Sequence, residues 1–368
     1  MKKSYLVFIF LFLAVGFFLW FFSFDKKNIF IQKELEKKEA VGENLLEEKK
    51  IQEILKFGFM TDAHCYADFD KVENEWVLNW RCKEPLEKFI HKMNGDFLPD
   101  FVLEGGDLTD GKDKRTTGTF VDAKAIFDQS DAPFYHVLGN HETRSFSKEE
   151  WRKITGYDKN YYYFDAKGYR MIVLDGNNKP SGDGSVDTSY EERYYPGLID
   201  SDQMKWLKDL LENSKDYEKI VFVHQPTFPT DAKKQNGLFV DGEILRKMFS
   251  QNKVRAVFSG HVERMCYLVE DGVNYYVLQG FWKANGGLKE EYRFKDGGVF
   301  SEVTVNSGDV EVKVYHRERQ SSGYFIDKSF VMTPENSNCF NGSTLISKEE
   351  KTQESAENEA EEAVEEEG

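Results

Sequence analysis

Five short clusters of metal-ligand-type residues punctuate the chain: Asp62-Ala63-His64, Gly106-Asp107-Leu108-Thr109-Asp110, Gly139-Asn140-His141-Glu142, His224-Gln225-Pro226 and Gly260-His261-Val262-Glu263. Their donor atoms are carboxylate oxygen, imidazole nitrogen and amide oxygen, a mixed set that suits Mn, Fe or Zn. An Asn oxygen is a poor ligand alone but a good member of an oxygen-rich site. A histidine next to it, here His141, can pass a proton to a leaving group. Each cluster alone reads equally well as a polar turn. What they share is position, because each directly follows a β-type apolar run.

The elements that must hold these residues follow from hydrophobic periodicity. Buried strands are expected at 57–61, 100–103, 134–138, 219–223 and 254–258, and each of these runs ends at a cluster. Helical apolar spacing covers 85–93, 123–127 and 202–211, the last capped near Ser201. Strand pairs are expected at 161–164 with 169–174, and at 302–305 with 310–315. Asp271-Gly272 marks a hairpin between 266–269 and 273–278. This alternation implies an α/β chain layered as an α/β/β/α sandwich, with ligands at the strand ends. His91, His136 and His316 belong to no motif and read as packing or surface residues. The segments 65–81 and 176–195 are long for connections and leave strands near the clusters. Their Tyr66, Trp76, Trp80, Arg193, Tyr194 and Tyr195 could cover an organic substituent, or could be surface decoration.

The two ends of the 368-residue chain differ from its middle. After a short leader at 1–3, residues 4–24 carry no charge and are rich in Phe, Leu, Ile and Val. Such a run can span a bilayer as a helix, which needs about 20 residues. Cleavage near Ala14-Val15-Gly16 would leave a terminus of exposed aromatics, so an uncleaved signal-anchor transmembrane helix is expected. Lys2 and Lys3 precede the span and Lys26, Lys27, Lys33, Lys37 and Lys38 follow it. By count alone the positive-inside rule keeps the large domain in the cytoplasm. The short basic leader argues for export, and a membrane-anchored, extracytoplasmic domain is the expectation. Residues 25–56 read as a charged helical stalk, 57–331 as the folded domain and 332–368 as an acidic disordered tail. The formal charge is −16, and half of it sits at 348–368. No basic block with interleaved aromatics appears, so no nucleic-acid surface is expected. The four cysteines form no C-x-x-C motif. In an exported domain Cys65 and Cys82 could close a short disulfide loop beside the first cluster, with four free thiols as the alternative.

In order, the clusters read D-x-H, G-D-x-x-D, G-N-H-E, H-x-P and G-H-x-E. From about Phe57 to Tyr315 the chain resembles the calcineurin-like metallophosphoesterases, whose last motif is G-H-x-H. The resemblance implies a four-layer α/β/β/α metallophosphoesterase sandwich holding two transition-metal ions. Asp62, His64 and Asp107 would hold the first ion. Asp107 would bridge to the second, completed by Asn140, His224 and His261. A hydroxide between the ions would attack phosphorus, with His141 as general acid or transition-state stabiliser and Asp110 as the carboxylate that orients it. The implied function is hydrolysis of a small organic phosphomonoester or phosphodiester. Two departures stand out. Glu263 replaces the second His of the last motif; if it ligates the first ion, the harder ligand set favours Mn or Fe, with Zn still possible. Gly111 stands where the protein-phosphatase branch has Arg, which argues against a Ser/Thr protein phosphatase. The alternative is a degenerate site in an exported binding or scaffolding module, with Glu263 as its mark.

Overall fold

The computed structural model describes residues 53–111, 116–181, 186–187, 196–230, 239–263, 265–278, 280, 299–319 and 325–333. Two six-stranded sheets carry the domain. The first is ordered β16(Phe325–Val331), β15(Val310–Arg319), β14(Phe300–Val305), β1(Leu55–Met60), β4(Phe101–Glu104) and β5(Phe134–His136). The second is ordered β12(Cys266–Glu270), β13(Val273–Val277), β11(Val254–Ser259), β10(Glu218–Val223), β7(Tyr169–Leu174) and β6(Tyr162–Ala166). A small hairpin, β2(Ala67–Asp70) and β3(Glu75–Leu78), leaves the end of β1, and β8(Lys179–Pro180) pairs with β9(Val186–Asp187).

The central strands are apolar on both faces, as strands covered on both sides must be. Phe57, Phe59, Phe101 and Leu103 of the first sheet face Ile220, Phe222, Ala256 and Phe258 of the second in one buried core. Phe57 stacks on Phe101 at 4.8 Å and meets Phe222 and Phe258 edge-on at 5.5 and 5.3 Å. Each fully buried Phe contributes about 1.5–3 kcal/mol. The outer face of the first sheet is covered by α1(Trp80–Lys92) and α2(Thr116–Phe127), through Leu86, Phe89, Phe120 and Phe127 against Met60 and Val102. Two further short helices follow β5, α3(Asn140–Ser145) and α4(Lys148–Thr155). The outer face of the second sheet is covered by α5(Ser201–Glu212) and α6(Gly242–Gln251), through Leu207, Leu211, Leu245 and Phe249 against Val221 and Val223. The four expected layers are present.

Strands β1, β4 and β5 are mutually parallel, as are β7, β10, β11 and β13. Their C-terminal ends therefore share a rim, where all five clusters lie. Lys167-Gly168 and Asp271-Gly272 have positive φ and close the two expected hairpins. Some boundaries move. β1 opens at Leu55, inside the expected stalk, because Leu55 is buried and pairs with Val305. Asp200, not Ser201, caps α5, accepting from the amides of Asp202 and Gln203. Met332, expected in the tail, is buried and its amide donates to the Val312 carbonyl. Among the described residues no helix is long and apolar enough to cross a membrane. The expected span 4–24, the stalk before residue 53 and the tail beyond 333 lie outside the described residues.

Candidate metal centre

Five residues at the rim adopt positive φ without being glycine: Asp62 at 54°, His64 at 46°, Asp107 at 58°, His261 at 68° and Glu263 at 47°. Left-handed backbone costs an L-residue about 1–2 kcal/mol, and such residues persist only where the surroundings fix them. For Asp62, His64 and Asp107 the fixing is by backbone bonds between the first two strand-end turns. The amides of Asp62 and His64 donate to the carbonyls of Gly106 and Asp107 at 2.9 Å each, and Cys65 donates to Leu108 at 2.8 Å. The turns thus zip together and aim Asp62, His64 and Asp107 at one point. Close packing demands glycine beside them. A Cβ on Gly139 would overlap the Asp107 amide and carboxylate, and one on Gly260 would overlap Thr61 and the Asp62 carboxylate.

All nine expected site residues meet in one cluster. Asp107 Oδ2 lies at its centre, 3.1 Å from His224 Nε2, 3.8 Å from His141 Nε2 and 4.0 Å from His64 Nε2. His64 Nε2 also lies 3.7 Å from Asp62 Oδ1 and 3.3 Å from Glu263 Oε1. Asn140 Oδ1 lies 3.2 Å from His224 Nε2 and 2.8 Å from His261 Nδ1. Three sets of donors have their ligand atoms within 4.8 Å of one another: Asp62–His64–Asp107, Asp107–His224–His261 and His64–Asp110–His141.

The set fits metal ions. Two ligands held about 2.0–2.2 Å from a shared ion lie roughly 3 Å apart or a little more, which is the spacing seen. His64 is buried with Nε2 facing the carboxylates of Glu263, Asp62 and Asp107 at 3.3–4.0 Å, an anionic setting that a cation would neutralise. His224 Nδ1 donates to the Gly105 carbonyl at 2.9 Å, leaving Nε2 as the ligating atom.

Charge follows the same layout. Burial pulls His64 down, but Glu263, Asp107 and Asp62 outweigh it and hold its pKa at about 9. His224 is likewise opposed by burial, yet Asp107 and Asp62 hold it at about 10. Burial and the neighbouring His224 press His261 down to about 3. Burial lifts Asp62 to about 6, while the surrounding histidines, outweighing burial, hold Asp107 well below the usual carboxylate range.

One expected role changes hands. The group hydrogen-bonded to His141 Nδ1 is the backbone carbonyl of Asp110, at 2.7 Å; its carboxylate stands 3.6 Å away. Arg144 donates to the same carbonyl at 2.7 Å. The His141 pKa lies below its ordinary value. Burial is the largest influence and lowers it, against the upward pull of Asp107.

Glu142 is the organiser that was overlooked. Its Oε2 accepts from the amides of Asp107 and Gly139 at 2.9 and 3.1 Å, and its Oε1 from the Thr109 amide at 3.0 Å. It binds the second cluster to the third and is wholly buried, which together with nearby Asp107 raises its pKa to about 7. The sequence hint was its place in the Gly139–Glu142 turn. Cys65 and Cys82 are joined by a disulfide, rooting the β2–β3 hairpin beside His64. His136, read as packing, is buried with Nδ1 3.3 Å from Glu104.

The profile of calcineurin-like phosphoesterases matches residues 55–264, more than half of the chain. This protein belongs to the calcineurin-like phosphoesterase family. It is a hydrolase of phosphoric ester bonds. Among curated relatives it is similar to the manganese-dependent ADP-ribose/CDP-alcohol diphosphatase of Arabidopsis thaliana, 26% identical over 232 residues, covering 53% of this chain and 75% of the relative. It is also similar to a protein of Arcobacter nitrofigilis named a probable glycerophosphodiester phosphodiesterase, 25% identical, covering 48% of this chain and 61% of the relative. Among solved structures, a dimetal phosphatase from Danio rerio superposes with a TM-score of 0.53 at 16% identity, over 76% of this chain and 99% of that one. The family thus accounts for the layered fold and for the site on its rim, and manganese-dependent relatives together with the donor clusters point to use of a divalent metal.

Proposed function

We propose that this phosphoesterase hydrolyses small organic phosphates with two transition-metal ions, Mn or Fe before Zn, and that its substrates include nucleotide-diphosphate-type molecules. The observation that carries this is Asp107 Oδ2, set 3.1 Å from His224 Nε2 and 4.0 Å from His64 Nε2, in reach of both donor groups at once. Asp62, His64 and Glu263 would complete one position, and Asn140, His224 and His261 the other. When bound, the ions supply Lewis acidity toward the phosphoryl oxygens and an activated water.

The protein's own part centres on His141. Its Nδ1–H donates to the Asp110 carbonyl, so Nε2 is the atom turned toward the phosphoryl position; protonated at both nitrogens, the ring gives its Nε2 proton to the leaving oxygen and is left as the neutral Nδ1–H form. Arg144 donates to the same carbonyl and holds that acceptor in place. Glu263, 3.3 Å from His64, stands on the metal side of its turn, which favours an active site over a degenerate binding module.

The substrate class is drawn from relatives whose names specify ADP-ribose, CDP-alcohol and glycerophosphodiester. A panel of these compounds with p-nitrophenyl phosphate, run with Mn, Fe and Zn, tests the proposal. Mn-dependent cleavage of at least one diphosphate supports it. A metal-loaded protein that cleaves none of the panel sinks it.

An uncleaved anchor at 4–24 and an extracytoplasmic domain form part of the same reading. The uncharged apolar run and the Cys65–Cys82 disulfide, a bond that persists in oxidising compartments, support it. Protease added to intact cells should digest the domain; protection until lysis would reverse the orientation.

A further inference from the structure

The donors of one metal position come from opposite sheets. Asn140 follows β5 of the first sheet, and His224 follows β10 of the second. Between the sheets lies an apolar core, whose attraction is non-directional. Yet Asn140 Oδ1 and His224 Nε2 sit 3.2 Å apart. His224 is tied to the β4 turn through Gly105. The turn that presents Asn140 is tied to that same β4 turn through Glu142, and a tie straight to the second sheet would fix it against His224 as well.

Asn177, just beyond β7, supplies one. Its Nδ2 donates to the Leu138 carbonyl at 2.6 Å, two residues before Asn140, and its Oδ1 accepts from Gln225 Nε2 at 2.8 Å, one residue after His224. The second N–H of Asn177 is used too, on Asp175 Oδ1 at 3.1 Å, and that carboxylate also accepts the Asn177 amide at 2.8 Å. Asp175 is in turn anchored by Lys148 at 2.6 Å and by Gln203, which bonds both its amide and its carbonyl at 2.9 Å. Asn177 is 0% exposed and Gln225 1%. In a dry setting each of these bonds is costly to lose.

We propose that Asn177 and Gln225 are positioning residues: a side-chain strap, Leu138–Asn177–Gln225, that sets the spacing of Asn140 and His224 across the two sheets. It rests on the reading of those two residues as metal ligands. Partners behind metal ligands commonly change affinity about 10- to 100-fold when removed.

The test is titration of metal-depleted, full-length protein with Mn(II), followed by calorimetry and by the EPR signature of coupled Mn pairs. Asn177→Ala should weaken Mn binding about 10- to 100-fold and reduce the coupled signal. Gln225→Ala should do the same to a smaller degree and serves if Asn177→Ala does not fold. The double variant should be no worse than Asn177→Ala, because the strap is already cut. Leu207→Ala, a cavity under α5 in the outer layer, should lower the melting temperature while leaving Mn affinity unchanged. Wild-type affinity in both strap variants, or a loss matched by Leu207→Ala, overturns the strap alone. A wild-type protein that binds no Mn overturns the metal centre and the strap with it.

Discussion

The two halves of the metal centre are built to different standards. Around His224 the protein has finished the job: Nδ1 is committed to Gly105, Nε2 faces Asp107 and Asn140, and the ring is fully buried. Around His64 it has not. Three carboxylates crowd Nε2, and the Glu263 side chain is about one-fifth exposed. The first arrangement is preorganised by the protein; the second is completed by whatever cation enters it. Under the proposed two-ion reading the site is expected to fill unequally, with the His224 half the tighter.

Asp107 belongs to both halves, so its loss should be the largest effect. Asp107→Asn should empty both positions and abolish turnover, measured by elemental analysis alongside activity; retention of one ion at full stoichiometry would limit Asp107 to a single half. His141 belongs to neither. His141→Ala should keep the metals and lower kcat by about 10²–10⁴, the range for a general acid. The loss should shrink with p-nitrophenolate as leaving group, and an equal loss on poor and good leaving groups would leave only an electrostatic role. Glu263 tests the looser half alone. Glu263→Ala should weaken one ion and spare the other, and Glu263→His should improve support by Zn because a borderline nitrogen replaces a hard oxygen. Two ions of unchanged affinity in the Ala variant would remove Glu263 from the ligand set.

The smallest effect is a proton count. With pKa values of about 9 and about 10 against an ordinary 6.5, His64 and His224 are protonated in the metal-free protein at neutral pH. Their contribution to metal-free stability is fully present below pH 6.5 and is lost as pH rises through those values. Metal entry must expel these protons, so Mn affinity should rise with pH between 6 and 9. Calorimetry in buffers of different ionisation heat should detect proton release at pH 7; heats independent of buffer would contradict it.

What was legible in the sequence was whatever rests on apolar runs and on side-chain identity. Phe57–Met60 and Lys219–Val223 could hardly be anything but buried strands, and the polar residues that end them had to face a common rim. What was not legible rests on backbone atoms and on polar strands. Glu75 to Val77 of β3 are exposed, so no burial pattern announces that hairpin. β16 is an edge strand interrupted by Asp327, Lys328 and Ser329. The carbonyl that receives His141 belongs to Asp110, and a one-dimensional reading naturally credits its side chain. Glu142 gathers amides from residues more than thirty positions earlier, a relation visible only after folding.

The left-handed backbone at residues 62, 64, 107, 261 and 263 carries a consequence for protein engineering. Stability and catalysis ask for different residues there. Glycine would relax the conformation by about 1 kcal/mol per position, and Glu263 has the most to gain, since Asp and His tolerate that region better than Glu does. A screen that rewarded thermal tolerance alone would press on Glu263 first, because the Asp62 and Asp107 carboxylates also accept the buried amides of His261 and His141, bonds that glycine would forfeit. At Glu263, then, the residue that would suit the backbone best is one that brings no carboxylate to the site.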